Sequence, residues 1–144
     1  MPRQSCVRVY IHFVWATWDR LPVITPAICD DVYRVMLAKC RELGGHLLAL
    51  GGVEDHVHLL VRMPATVTIA QFIGEVKGSS SHAVTHGDPA VFFKWQGAYG
   101  AFAVGESAIP TVQHYIQTQE THHHTLGSCP EWRTMQSDDD EASG

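Results

Sequence analysis

Apolar positions along the chain change period several times, and each change marks an element. Val7 to Trp15 (VRVYIHFVW) is rich in β-branched and aromatic residues and predicts a strand. After a loop containing Pro22 and Pro26, Ala27 to Leu43 takes up helical spacing. Ile28, Val32, Val35, Met36 and Ala38 to Cys40 form its apolar stripe, and Gly44-Gly45 stops it. His46 to Leu50 predicts a second strand, Gly51-Gly52 a bend, and Val57 to Met63 a third strand closed by Pro64. Thr68 suits the N-cap of a helix through Ile69, Phe72, Ile73 and Val76, with KGSSS on its later turns. Val91 to Trp95 and Ala101 to Val104 predict a fourth strand region, broken around Gly97 and Gly100. Ser107 opens a last helix that tolerates Pro110 in its first turn and is expected to run to about Thr125, ahead of Gly127 and Pro130.

The resulting order, β-α-β-β-α-β-α, predicts an α+β fold: a ferredoxin-like or RRM-like split βαβ sandwich. Its antiparallel sheet carries helices on one face, plus an added C-terminal helix. The third strand, apolar on one side, is expected at the centre. Residues 1–130 read as one domain and residues 131–144 as a polar acidic tail, expected to be disordered.

That third strand poses the chemical question. In EDHVHLLV (residues 54–61), His56, His58 and Leu60 alternate to one face, and Val57, Leu59 and Val61 to the other. The imidazoles then sit roughly 6 to 7 Å apart at their bases, close enough to share one ion. An isolated HxH pair equally suits two packed core histidines. A second pair changes the balance: in YIQTQ of the last helix, Tyr115 and Gln119 are four residues apart and share a helical face. Two neutral imidazoles and an amide oxygen can hold a hard divalent cation on one side. The tyrosine oxygen can then attack a phosphorus polarised by that ion. A phenol of pKa near 10 needs such help at neutral pH.

Composition narrows the class. With 45% hydrophobic and 17% charged residues the chain reads as an ordinary globular protein. The scattered Cys6, Cys29, Cys40 and Cys129 form no CxxC pair and are expected to be reduced thiols of a cytoplasmic protein. No secretory signal and no membrane-spanning run is expected. The net charge of -5 owes much to Asp138, Asp139, Asp140 and Glu141, so the folded part is near neutral and a nucleic-acid partner is not excluded.

Five blocks then carry a family resemblance: YIHFVWAT with RLPVI, EDHVHLLV, VKGSSS, FKWQGAYGAFAV and HYIQTQETHH. In these, over roughly residues 9 to 124, the chain resembles the single-tyrosine HUH transposases of the IS200/IS605 type and their REP-associated relatives. The resemblance implies His56 and His58 as metal ligands, Gln119 as the third ligand and Tyr115 as nucleophile. It implies Mg²⁺ or Mn²⁺ as cofactor, and cleavage and rejoining of single-stranded DNA through a 5′-phosphotyrosine. Its implied partners are hairpin DNA and a second copy of the chain, in a homodimer whose composite active sites pair the HxH of one subunit with the tyrosine helix of the other. The alternative is a hairpin-DNA binding or regulatory protein without productive cleavage; a third reading is a structural module binding zinc adventitiously.

Further DNA contacts are expected at Lys77, whose other reading is a solvated ammonium complementing the helix dipole, and at Ser79, Ser80 and Ser81, with Arg20 and Arg62 as further candidate phosphate contacts. Trp15, Trp18, Trp95 and Tyr99 are candidates either for stacking bases or for packing. Asp55 has two readings, an acceptor that orients a ligand histidine or the end of a turn. His122, His123 and His124 fit a proton shuttle or a solvated helix end.

Overall fold

The computed structural model describes residues 5–119. Its elements are β1 (Tyr10–Ala16), α1 (Pro26–Glu42), β2 (His46–Val53), β3 (His56–Arg62), α2 (Ile69–Gly87), β4 (Gly100–Val104) and α3 (Ile109–Gln117), with 3-10 turns at Trp18–Arg20 and Glu106–Ala108. The strands form one antiparallel sheet in the order β2-β3-β1-β4, the split βαβ arrangement, with β3 and β1 inside. The α+β class and the central place of the histidine strand are as expected.

Local chemistry accounts for each helix. Pro26 opens α1 where its missing N–H costs nothing, and Val32, Met36 and Cys40 repeat every fourth residue to bury one stripe. Gly44 stops it in the left-handed region, at φ 89°. The Thr68 side chain caps α2 by accepting from the Gln71 N–H at 3.1 Å.

The core lies on one face of the sheet. Phe13 and Trp15 of β1 and Val57, Leu59 and Val61 of β3 meet Met36 of α1 and Phe72, Ile73 and Val76 of α2 there. Phe13 stacks on Phe72 at 5.9 Å, and Trp95 meets Trp15 edge-on at 5.6 Å. The opposite face receives α3, which seals a much smaller cluster of Ala49, Leu60 and Ile116.

Two expectations needed correcting. Gly51-Gly52 does not bend the chain: β2 runs through both to Val53. The glycines are there for close approach instead. A Cβ on Gly51 would stand 2.5 Å from the Ile116 carbonyl oxygen, and one on Gly52 would collide with the His56 carbonyl oxygen. The irregularity of β2 lies earlier, in a register shift between Leu47 and Ala49. Residues 91–95 form no strand either, only a single bridge between Trp95 and Thr17. Phe93 and Trp95 turn inward, and the indole N–H of Trp95 donates to Ser80 Oγ at 2.9 Å. The stretch of the last helix expected beyond residue 119, with His122 to His124 and the acidic tail, lies outside the described residues.

Candidate active site

β3 delivers His56 and His58 to the same face, both buried, with ring centroids 5.2 Å apart. Each ring is fixed through Nδ1 by a different neighbour. His56 Nδ1 lies 2.8 Å from Asp55 Oδ1, so an Nδ1–H donates to the carboxylate. The other oxygen of Asp55 pairs with Arg20 Nε at 3.5 Å. Arg20 reaches it from a turn in which Asp19 and Arg20 both hold left-handed conformations, φ 52° and 51°, at a cost of roughly 1–2 kcal/mol each.

His58 Nδ1 lies 2.9 Å from Nε2 of His12, and the two rings stack with centroids 5.1 Å apart. Burial lowers the His12 pKa to about 4, so this imidazole is neutral. For each of His56 and His58, then, Nε2 is the second ring nitrogen and the one a cation would take. Among the described residues no group of three or more His, Cys, Asp or Glu is arranged to hold an ion.

Ile116 of α3 packs against Leu60 and Ala49, and Gln113 Nε2 donates to the Leu48 carbonyl at 3.0 Å, within the β2 irregularity. Because Gly51 has no side chain, the end of α3 settles directly on the sheet. That docking sets the Tyr115 ring edge-on to His58, centroids 5.5 Å apart, and 6.5 Å from His12. Gln119 follows, buried, with its Nε2 donating to the Tyr115 carbonyl at 2.9 Å. Its Oε1 is buried without a hydrogen-bond partner among the described residues. A buried acceptor left in that state costs about 1–3 kcal/mol, and a cation would satisfy it. Two imidazole nitrogens and an amide oxygen fit a divalent cation of the Mg²⁺ or Mn²⁺ kind that keeps further oxygen ligands.

His56, His58 and Tyr115 thus come together, and the Gln119 amide is bonded to the Tyr115 carbonyl behind them. The DNA-contact candidates do not join them. Lys77 Nζ donates to the carbonyls of Gln96, Gly97 and Ala98 at 2.6, 3.3 and 3.4 Å, and burial lowers its pKa to about 8. Ser79 and Ser80 hydroxyls donate to carbonyls of their own helix. Arg62 binds the Val7 carbonyl. Arg20 comes near the histidines, but through Asp55. His12 escaped sequence reasoning, although its place two residues before Val14 on β1 carries the signal: opposite Leu60 in the register, it shares the face of His58.

The family model described as "Transposase IS200 like" matches residues 5–119, all of the described residues. The chain belongs to the IS200-like transposase family. It is 24% identical to the ISDra2 transposase TnpA of Deinococcus radiodurans over 114 residues, 75% of this chain and 81% of that protein. A solved Deinococcus radiodurans structure described as a transposase superposes with a TM-score of 0.65 at 25% identity, covering 83% of this chain and 96% of that one. The fold is also that of a REP-associated tyrosine transposase solved with a REP hairpin, with a TM-score of 0.63 at 13% identity, covering 89% and 74% of the two chains. DNA transposition is accordingly the broad activity of this family's members. Among the described residues no helix is long and apolar enough to cross a membrane.

Proposed function

We propose that this IS200-like protein cleaves single-stranded DNA and transfers the cut strand through a 5′-phosphotyrosine on Tyr115, with Mg²⁺ or Mn²⁺ held by His56, His58 and Gln119. The observation that supports the reading is the Tyr115 ring lying edge-on to His58 of the HxH pair, with the buried, unsatisfied Gln119 Oε1 one helical turn further along the same segment. A bound ion supplies Lewis-acid polarisation of the scissile phosphate and stabilises the charge that develops on its oxygens. The chain's own residues do the rest. Asp55 fixes the tautomer and orientation of His56, and neutral His12 can accept from His58 Nδ1–H and fix the other ring. The fixed end of α3 aims Tyr115. Its oxygen bonds to phosphorus, the phenolic proton is lost, and the DNA 3′ oxygen leaves and takes up a proton. Attack by a later 3′-hydroxyl reverses the exchange and reseals a strand.

A labelled single-stranded hairpin from the DNA beside the gene, incubated with protein and Mg²⁺, should give a denaturant-stable protein–DNA adduct that disappears in Tyr115→Phe. A persistent adduct in that variant removes Tyr115 from the role. If the unaltered protein binds the hairpin and yields no adduct, the non-cleaving DNA-binding alternative replaces the enzyme.

The homodimer with composite sites belongs to the same proposal. Within one chain Tyr115 already lies beside its own His58, so a composite site would require α3 to leave Gly51 and cross to the second subunit. Mixing His56→Ala with Tyr115→Phe protein tests this. Adduct recovered by mixing two inactive variants shows exchange; a mixture as inactive as its parts shows that each chain works with its own helix.

A further inference from the structure

Of the four aromatic candidates for stacking on bases, the fold consumes three. Trp15 is fully buried, Trp95 is 7% exposed, and Tyr99 packs against the core beside Phe13. Trp18 alone stands out, 43% exposed. The ammonium of Lys94 lies 4.0 Å from the centre of its ring, and Lys94 forms no ion pair with any carboxylate among the described residues. Phe92, 56% exposed, points outward two residues before Lys94, while Phe93 and Trp95 between and after them point in. One exposed ring thus lies against the cation, and a second exposed ring is carried two residues earlier on the same segment.

The backbone ties this cluster to the histidine site. Trp18 N–H donates to the Lys94 carbonyl at 2.8 Å, and Gln96 N–H to the Ala16 carbonyl at 2.9 Å, so the two segments run side by side. The neighbouring Thr17 N–H donates to the Asp55 carbonyl at 2.9 Å, and the Asp55 side chain holds His56. The next two residues, Asp19 and Arg20, take left-handed conformations, and Arg20 pairs with Asp55, so the chain turns from Trp18 straight back to the carboxylate that holds His56.

We propose that Trp18, Lys94 and Phe92 form a binding subsite for unpaired nucleotides next to the phosphate at His56. A base stacks on the exposed indole, Lys94 neutralises a flanking phosphate, and Phe92 takes a second base. Aromatic faces interleaved with a cation suit a single strand, whose bases are free to stack; paired bases in a duplex are not available to them. The subsite rests on the strand-cleavage reading for its substrate class, and it answers how a chain of net charge -5 can hold DNA: by stacking and one local cation more than by a basic surface.

The test uses the full chain and a fluorescein-labelled, mixed-sequence single strand of about a dozen nucleotides, with the blunt duplex of the same sequence as control. Trp18→Ala should weaken anisotropy-measured binding about tenfold or more, Trp18→Phe should retain most of it, and Lys94→Ala should lower the salt slope by about 0.7. Mn²⁺ titration of Trp18→Ala should match the unaltered protein, because the histidines are untouched. Binding of Trp18→Ala equal to the unaltered protein overturns the subsite, and so does equal affinity for strand and duplex. An adduct at Tyr115 with no dependence on Trp18 overturns the subsite and leaves the cleavage reading standing. Trp18-dependent binding without an adduct does the reverse.

Discussion

β3 presents two unlike surfaces from one strand. Toward α1 and α2 it offers Val57, Leu59 and Val61, which join a large apolar core. Toward α3 it offers His56, His58 and Leu60, of which only Leu60 adds to an apolar cluster, and that cluster is small. Burial is nearly complete on both sides, so solvent exposure does not separate them. The chemistry does. The first face contributes roughly 25 cal/mol for each Å² of apolar surface removed from water. The second holds imidazoles and an amide oxygen whose polar atoms need partners, and its two histidines are ordered by hydrogen bonds to Asp55 and His12. Folding free energy resides mainly on one face, which leaves the other able to keep polar groups in costly surroundings for the sake of a site.

The sharpest way to break this comparison is to alter adjacent residues. Leu59→Ala should cost about 2–5 kcal/mol of stability, read as a lower urea midpoint. His58→Ala should leave that midpoint far less changed while cleavage falls by roughly a thousandfold or more, the several kcal/mol an ion contributes to the transition state. Equal stability losses at the two positions would erase the distinction.

The next effect comes from pH. With a folded pKa of about 4 against 6.5 unfolded, His12 binds its proton more readily in the unfolded chain. Its burial is therefore without penalty above about pH 6.5, and stability should fall between there and pH 4 by on the order of 3 kcal/mol, with no further loss from this group below. Urea midpoints of metal-free protein across that range should be flatter in His12→Gln, which keeps a polar side chain that does not titrate. A slope unchanged by the substitution would place the acid sensitivity elsewhere.

The smallest expected change is at Asp55→Asn. An amide in place of the carboxylate should weaken Mn²⁺ affinity about tenfold, the low end for lost partners of ligand histidines, with stability altered by no more than ~0.5 kcal/mol. Affinity equal to that of the unaltered protein would mean that backbone position alone orients His56.

The pattern of residues was enough for the element order and for the division of β3 into two faces, because alternation along a strand is a property of the backbone itself. It was also enough to nominate Tyr115 and Gln119, since a four-residue spacing on a helix places two side chains together. Gly51-Gly52 misled as a bend because a glycine needed for close approach looks, in sequence, like one needed for a turn. For Lys77 the charge suggested solvent or phosphate, and only the tertiary structure shows its ammonium on the Gln96–Ala98 carbonyls.

What the sequence determined by itself was therefore local: strand faces, helix stripes, caps, and the donor types a cation would need. What the tertiary structure decided was nonlocal. The pairing of β1 with β3 brought His12 to His58, the turn at Trp18–Arg20 brought Arg20 to Asp55, and a missing side chain at Gly51 let α3 set Tyr115 beside the histidines. Partners far apart in sequence meet through register and packing, and neither periodicity nor composition encodes the distance between them.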